Sequence, residues 1–162
     1  MTDLLPLLEE FYRDKQTAML RHMAGARLVA QYDINNTYQY VIAREDVELS
    51  WVATAIRELG GKPAEQAEAD RGADHGQGPA AARAIIEEDA RAAKAFVDRW
   101  SPRVETIAHA RHRGMLRVIL GEVAEQQRFF EQARAGRTDL LGRRGPQLGP
   151  SHGSVLSERW IE

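Results

Sequence analysis

Apolar side chains recur every three to four residues along four long stretches of this chain, and the strict alternation that builds strands is nearly absent. That spacing puts the apolar residues of each stretch on one side of a helix. The first stretch spans residues 3–31 and carries Leu4, Leu8, Phe11, Ala18, His22, Gly25 and Val29 on its stripe. The second spans 35–59, with Tyr38, Ile42, Leu49, Val52, Ile56 and Leu59. The third spans 79–100, with Ala81, Ile85, Ala92 and Phe96, and the fourth 102–135, with Val104, Ala108, Met115, Val118 and Phe129. Helices with one apolar stripe must bury it against one another, which predicts an all-α four-helix bundle.

The punctuation agrees. Gly60-Gly61 followed by Pro63 stops the second helix, because glycine takes the left-handed C-cap conformation and proline cannot continue the ladder. Pro79 suits a first turn, having no N–H to leave unpaired. Ser101-Pro102 reads as an N-cap and restart that separates the third helix from the fourth. Gly136 ends the fourth.

The chain's 162 residues suffice for one domain with a core of its own. The bundle is expected over residues 1–136. The remainder, 137–162, holds four glycines and two prolines and is expected to dock through Trp160 and Ile161. Antiparallel neighbours need only about 2–8 linking residues, whereas residues 61–78 make an 18-residue connection between the second and third helices. Such a segment reaches at most roughly 60 Å, and a 25-residue helix is roughly 38 Å long. The connection can therefore travel the length of the bundle and make helices two and three parallel, a single long crossover. A loose loop in a plain up-and-down bundle is the alternative.

Charge narrows the function. Lysine and arginine total 22 and aspartate and glutamate 24, well mixed along the chain, for a net charge of −2. A nucleic-acid binder would concentrate basic residues on one face, so none is expected as a partner. There is no cysteine, which removes thiolate metal sites, disulfides and cysteine nucleophiles. The first residues lack the basic start and apolar run of a signal peptide, and no stretch approaches the roughly 20 apolar residues that span a bilayer. The expected location is cytoplasmic, without a membrane.

The most informative residues are acids placed among apolar ones. Glu45 and Glu48 lie between Ile42, Leu49 and Val52. Glu122 and Glu125 continue the stripe of the fourth helix, and Glu88 sits between Ile85 and Ala92. Five carboxylates from three helices are thus expected to converge. Burying an unpaired carboxylate costs several kcal/mol. A divalent metal pair would compensate them, since hard cations favour oxygen ligands. Arginine, lysine or histidine partners, protonation, or a position at the solvated edge would also do so. His22, on the first stripe, is a further metal ligand or proton-carrying partner in the first case and a satisfied core histidine in the other.

Two segments carry a family resemblance. Tyr-Val-Ile-Ala-Arg-Glu-Asp-Val-Glu-Leu-Ser-Trp, followed by Leu-Gly-Gly-Lys-Pro, resembles the second helix of ferritin-like proteins such as rubrerythrins and bacterioferritins. Leu-Gly-Glu-Val-Ala-Glu-Gln-Gln-Arg-Phe-Phe resembles their fourth. The resemblance covers about residues 3–135 and implies a ferritin-like bundle with a di-metal centre of iron or manganese. It implies metal-ligand roles for Glu45, Glu88 and Glu122. Glu48 and Glu125 stand where the family carries its two histidine ligands. The first-helix glutamate has no clean counterpart, because Phe11 and Asp14 occupy the stripe near Glu9 and Glu10.

Elsewhere, His109 and His112 share a face of the fourth helix with Arg111, Arg113 and Arg117 and read as a solvated basic surface; with Glu105 they would make a metal site. Arg111 lies on the apolar stripe, within reach of a buried acid. Tyr38, Tyr40 and Trp51 are expected core aromatics or redox relays, and His75 and His152 are expected at the surface. No nucleophilic triad or phosphate-binding glycine loop is present. Two readings of function remain. One is an oxygen-ligand metal protein for oxidoreduction or metal handling. The other is a metal-free bundle, its acids neutralised by Arg or His, that serves as a binding or oligomeric scaffold. Symmetric pairing along the long helices predicts a homodimer.

Overall fold

The computed structural model describes residues 3–65 and 75–142. It is an all-α bundle of α1 (Leu4–Ala26), α2 (Tyr32–Glu58), α3 (Pro79–Glu105) and α4 (Ala110–Arg134), with no strand among the described residues. No helix in them is long and apolar enough to cross a membrane.

Helices α1 and α2 form one hairpin, and α3 and α4 form another. The two hairpins meet along α1–α3 and α2–α4, which leaves α2 and α3 on a diagonal. Side-chain pairs give the directions. Glu10 meets Arg103 while His22 approaches Asp89, so α1 and α3 are antiparallel. Arg44 meets Glu122 and Glu58 meets Arg111, so α2 and α4 are antiparallel as well. Tyr38 bonds Asp89, while Ile56 shares an apolar cluster with Val104, so α2 and α3 run the same way. Residues 66–74, which the predicted crossover includes, lie outside the described residues, as do Trp160, Ile161 and His152.

The helix limits differ from the sequence expectation in two places. The first helix stops at Ala26. The side chain of Gln31 then accepts a hydrogen bond from the Ile34 backbone N–H at 2.7 Å and starts α2 three residues earlier than expected. More substantially, Ser101-Pro102 is not a break. Pro102 cannot donate to the carbonyl one turn back. The helix nonetheless continues to Glu105, because Trp100 and Val104 are both buried on the core side one turn apart. The chain turns at 106–109 instead. There the Thr106 hydroxyl donates to the Arg103 carbonyl at 2.7 Å, and the Arg113 guanidinium donates to the Ile107 carbonyl at 2.6 Å.

After α2, Gly60 adopts φ +83°, the left-handed conformation foreseen from the double glycine. Gly61 suits the turn for a second reason: a Cβ there would lie 2.5 Å from Leu5 Cδ1 and 2.9 Å from Ile56 Cγ2, so an added methyl group would displace those side chains where the turn closes on α1.

The core divides into two apolar layers. One holds Leu8, Phe11, Val52, Ile56, Trp100, Val104, Leu116 and Ile119, with the Phe11 ring edge-on to Trp100 at 4.9 Å. The other holds Met19, Ile34, Tyr38, Ile42, Ile85, Ile86 and Phe130. Lys15, Glu45, Glu48 and Gln126 are buried where the layers meet.

Candidate functional site

Lys15 is central to this polar zone. Its place on α1 follows from spacing: Leu8, Phe11, Lys15, Met19 and His22 succeed one another at three or four residues, so all face the core. The ammonium lies 2.7 Å from Glu45 Oε1 and 3.1 Å from Glu48 Oε2, and all three residues are 0% exposed. Glu45 and Glu48 are three apart on α2, the separation that puts two side chains on one helix face.

The charges sort themselves. Burial opposes ionisation of Glu45, but His22 and Lys15 beside it outweigh burial and hold the carboxyl below its ordinary range. Burial likewise works against the Lys15 charge, and Glu45 and Glu48 overcome it, so its pKa is raised. Glu48 goes the other way. Burial, offset only in part by Lys15 and reinforced by a hydrogen bond with Glu122, pushes its pKa up to about 8. At neutral pH the centre therefore holds one ammonium, one carboxylate and one protonated carboxyl.

Both oxygens of Glu45 are engaged, since Oε2 lies 2.8 Å from His22 Nδ1. An ionised carboxylate only accepts, so Nδ1 carries the hydrogen. The other imidazole nitrogen, Nε2, is 3.9 Å from Asp89 Oδ1, too far for a hydrogen bond. Asp89, buried on α3, accepts the hydroxyl of Tyr38, and the rings of Tyr38 and Phe130 pack round the imidazole at 6.1 and 5.3 Å.

A cavity of about 320 Å³ opens between α1 and α3 onto this cluster. Lys15, His22, Glu45, Asp89 and Gln126 form its polar floor. Ala18, Ala92, Ala93, Phe96 and Val123 form its walls, and Asp14, Arg21 and Arg99 stand at its rim.

Of the six residues proposed from the sequence, His22, Glu45 and Glu48 come together, Glu122 adjoins Glu48 from the α2–α4 seam, and Glu88 and Glu125 lie elsewhere. Glu88 is on the outer side of α3, its side chain 32% exposed, with His75 Nε2 at 2.8 Å and Arg21 at 3.9 Å. His75 is accordingly half-buried rather than at the surface. Glu122 sits on the α2–α4 seam, where Arg44 holds it with both nitrogens of its fork; that hydrogen bonding keeps its carboxyl below the ordinary range. Glu125 is half-buried in the adjoining cleft with Tyr40 and Phe129.

The physical reason is helix phase. The buried line of α4 is His112, Leu116, Ile119, Val123, Gln126 and Phe130, one residue beyond the stripe expected from Met115, Val118 and Phe129. One residue turns a helix by 100°, enough to carry Glu122 and Glu125 from the core to the seam. On α3 the line is Ile85, Asp89 and Ala93, so Asp89 occupies the inward position assigned to Glu88. Lys15, Asp89 and Gln126 were missed. Lys15 could have been found by keeping to the spacing between Phe11 and His22.

Other expectations also shift. Arg111 is 71% exposed and 3.5 Å from Glu58, so it neutralises no buried acid. Trp51 is exposed rather than in the core. His112 is buried with its ring 4.3 Å from that of His109, while Glu105 is held by Arg117, not by either histidine. Burial, with like charge from His109 and Arg111, lowers the His112 pKa.

These groups do not fit a di-metal centre of iron or manganese. No group of three or more His, Asp or Glu side chains among the described residues is arranged to hold a metal ion. The space between Glu45 and Glu48 is filled by the Lys15 ammonium, a donor with no lone pair to offer. No protein-family model, curated protein or solved structure matches the chain.

Proposed function

We propose that this chain is a metal-independent relative of the ferritin-like bundles, and that it acts as a binding protein rather than as a redox or iron-handling one. The observation that carries the reading is the buried ammonium of Lys15 between Glu45 and Glu48, which meets the electrostatic need a divalent ion would otherwise meet. His22 completes the compensation at Glu45. The resemblance of the second and fourth helices to ferritin-like proteins supports the scaffold. The loss of both histidine ligands supports a changed use.

The test is metal analysis of protein purified without chelators, together with melting curves in chelator, iron(II) and manganese(II). The expected result is substoichiometric metal and one melting temperature throughout. A metal-dependent rise in melting temperature would overturn the reading, because a ligand that binds only the folded state must stabilise it. Lys15→Glu serves as the positive control. It places a carboxylate on the first helix and removes the resident cation, so melting should fall without metal and recover with manganese.

The same reading includes pairing of two copies. Val47, Trp51 and Val118 are exposed between the ion pairs Arg44–Glu122 and Glu58–Arg111, on the outer seam of α2 and α4. A second copy laid across this seam would cover them.

A further inference from the structure

We infer that the cavity between α1 and α3 binds a small, uncharged, mostly apolar alcohol or phenol, with its hydroxyl seated between His22 Nε2 and the side-chain amide of Gln126. This rests on the metal-independent reading, since a metal between Glu45 and Glu48 would reorganise the floor.

Two buried polar groups face the cavity without a hydrogen bond. His22 and Gln126 are each 4% exposed and line it. His22 Nδ1 is committed to Glu45, and Nε2 has only Asp89 at 3.9 Å. Gln126 forms no hydrogen bond among the described residues. Both groups are reachable from the cavity, so a polar group of whatever enters it can bond them. With Nδ1 bonded to Glu45, Nε2 is the imidazole atom left facing the cavity, and the Gln126 amide can both donate and accept. A hydroxyl both donates and accepts, so it matches an imidazole nitrogen and an amide that line the same cavity.

The charged groups argue for a ligand without charge. Lys15 and Glu45 are paired, Glu45 is paired again with His22, and Asp89 holds the Tyr38 hydroxyl. At the rim, Arg99 is held by Asp14 at 2.9 Å and by Glu10, and Arg21 lies 3.9 Å from Glu88. An ionised head group could enter only by displacing a partner and stranding a buried charge. The walls are alanine methyl groups and the edge of Phe96, surfaces that favour an apolar body. The volume, about 320 Å³, is at the small end of the range of roughly 300–1,000 Å³ that takes organic ligands.

The experiment titrates phenol, toluene, benzoate and benzylammonium into the full chain. Calorimetry and the NMR signals of the His22 ring and the Gln126 side-chain amide follow binding. Phenol should bind saturably and shift both signals, with the two ions at least about tenfold weaker. Ala92→Leu, which fills the cavity from α3, should abolish phenol binding with helix content retained, and Ala18→Leu on the opposite wall provides the same test should Ala92→Leu not fold. Gln126→Leu should remove the preference for phenol over toluene. The inference is overturned if phenol gives no saturable shift at His22 and Gln126, if the ions bind as well as phenol, or if the wall variants bind undiminished. These outcomes differ from a metal-dependent melting temperature, which would count against the metal-independent reading instead.

Discussion

Lys15 lies between two buried acids, one ionised and one protonated, and that arrangement has measurable consequences. Lys15→Met keeps the length of the side chain and removes the ammonium, which leaves Glu45 to His22 alone. Breaking a buried pair from one side typically destabilises by about 3–5 kcal/mol, and denaturant unfolding of the variant should show a loss of that order. Removing acid and base together, as in Lys15→Met with Glu45→Gln, should recover part of it. Glu48 gives a pH signature. Its folded pKa of about 8 exceeds the value of 4.5 for a free carboxyl, so the folded state holds this proton more tightly than the unfolded chain. The stabilisation is fully present below pH 4.5 and is lost as pH rises to about 8, with a slope of at most about 1.4 kcal/mol per pH unit. Glu48→Gln keeps a neutral group there and should flatten that decline, as read by unfolding free energy between pH 5 and 8. At the surface, hydrogen bonds and charge from Arg103, then Arg99, hold the Glu10 carboxyl down at about 2. Added salt should move its titration, followed by NMR, back toward the ordinary range. The sequence pointed to Glu45, Glu48 and His22 because α2 was read in phase. It did not point to Lys15, since a lysine among apolar residues is normally assigned to the surface.

At the level of the helices, α1 and α2 were largely legible and α3 and α4 were not. Along α2, Tyr38, Ile42, Leu49, Val52 and Ile56 all lie in the core, so one unbroken line of large apolar residues fixed its orientation. On α4, Met115, Val118 and Phe129 outnumber nothing on the competing line of Leu116, Ile119, Val123 and Phe130. A helix with apolar residues on two adjacent faces does not disclose which one is buried. Ser101-Pro102 misled for a different reason: local turn chemistry lost to the burial of Trp100 and Val104 on either side of it. Glycines separate packing from propensity. Gly61→Ala forces a methyl group into Leu5 and should destabilise by about 1–3 kcal/mol. Gly114 and Gly121 lie within α4 with nothing in the way of a Cβ, so alanine at each should stabilise by roughly 0.5–1 kcal/mol. Thermal melts of the three single variants check both signs.

Taken whole, the molecule is two helical hairpins closed on each other, and the all-α class was legible because four amphipathic stretches left no other way to bury their stripes. Its proposed pairing across the outer α2–α4 seam is open to a direct measurement. Sedimentation of the full chain should give a dimer, and Val118→Glu, at a position 52% exposed, should give monomers with unchanged helix content. A monomeric parent would remove the seam as an interface.

The meeting of two greasy layers at a charged one also governs how α1 and α2 align within their hairpin. Slide α1 along α2 by a single turn and Lys15 would face apolar side chains while Glu45 and Glu48 lost the ammonium buried between them. Apolar layers tolerate such slippage; a lone cation notched between two acids does not. The pairing thus works as a keyway, admitting one alignment and rejecting its neighbours. Inserting or deleting a helical turn in α1 alone should therefore leave a loosened, molten bundle rather than a shifted native one.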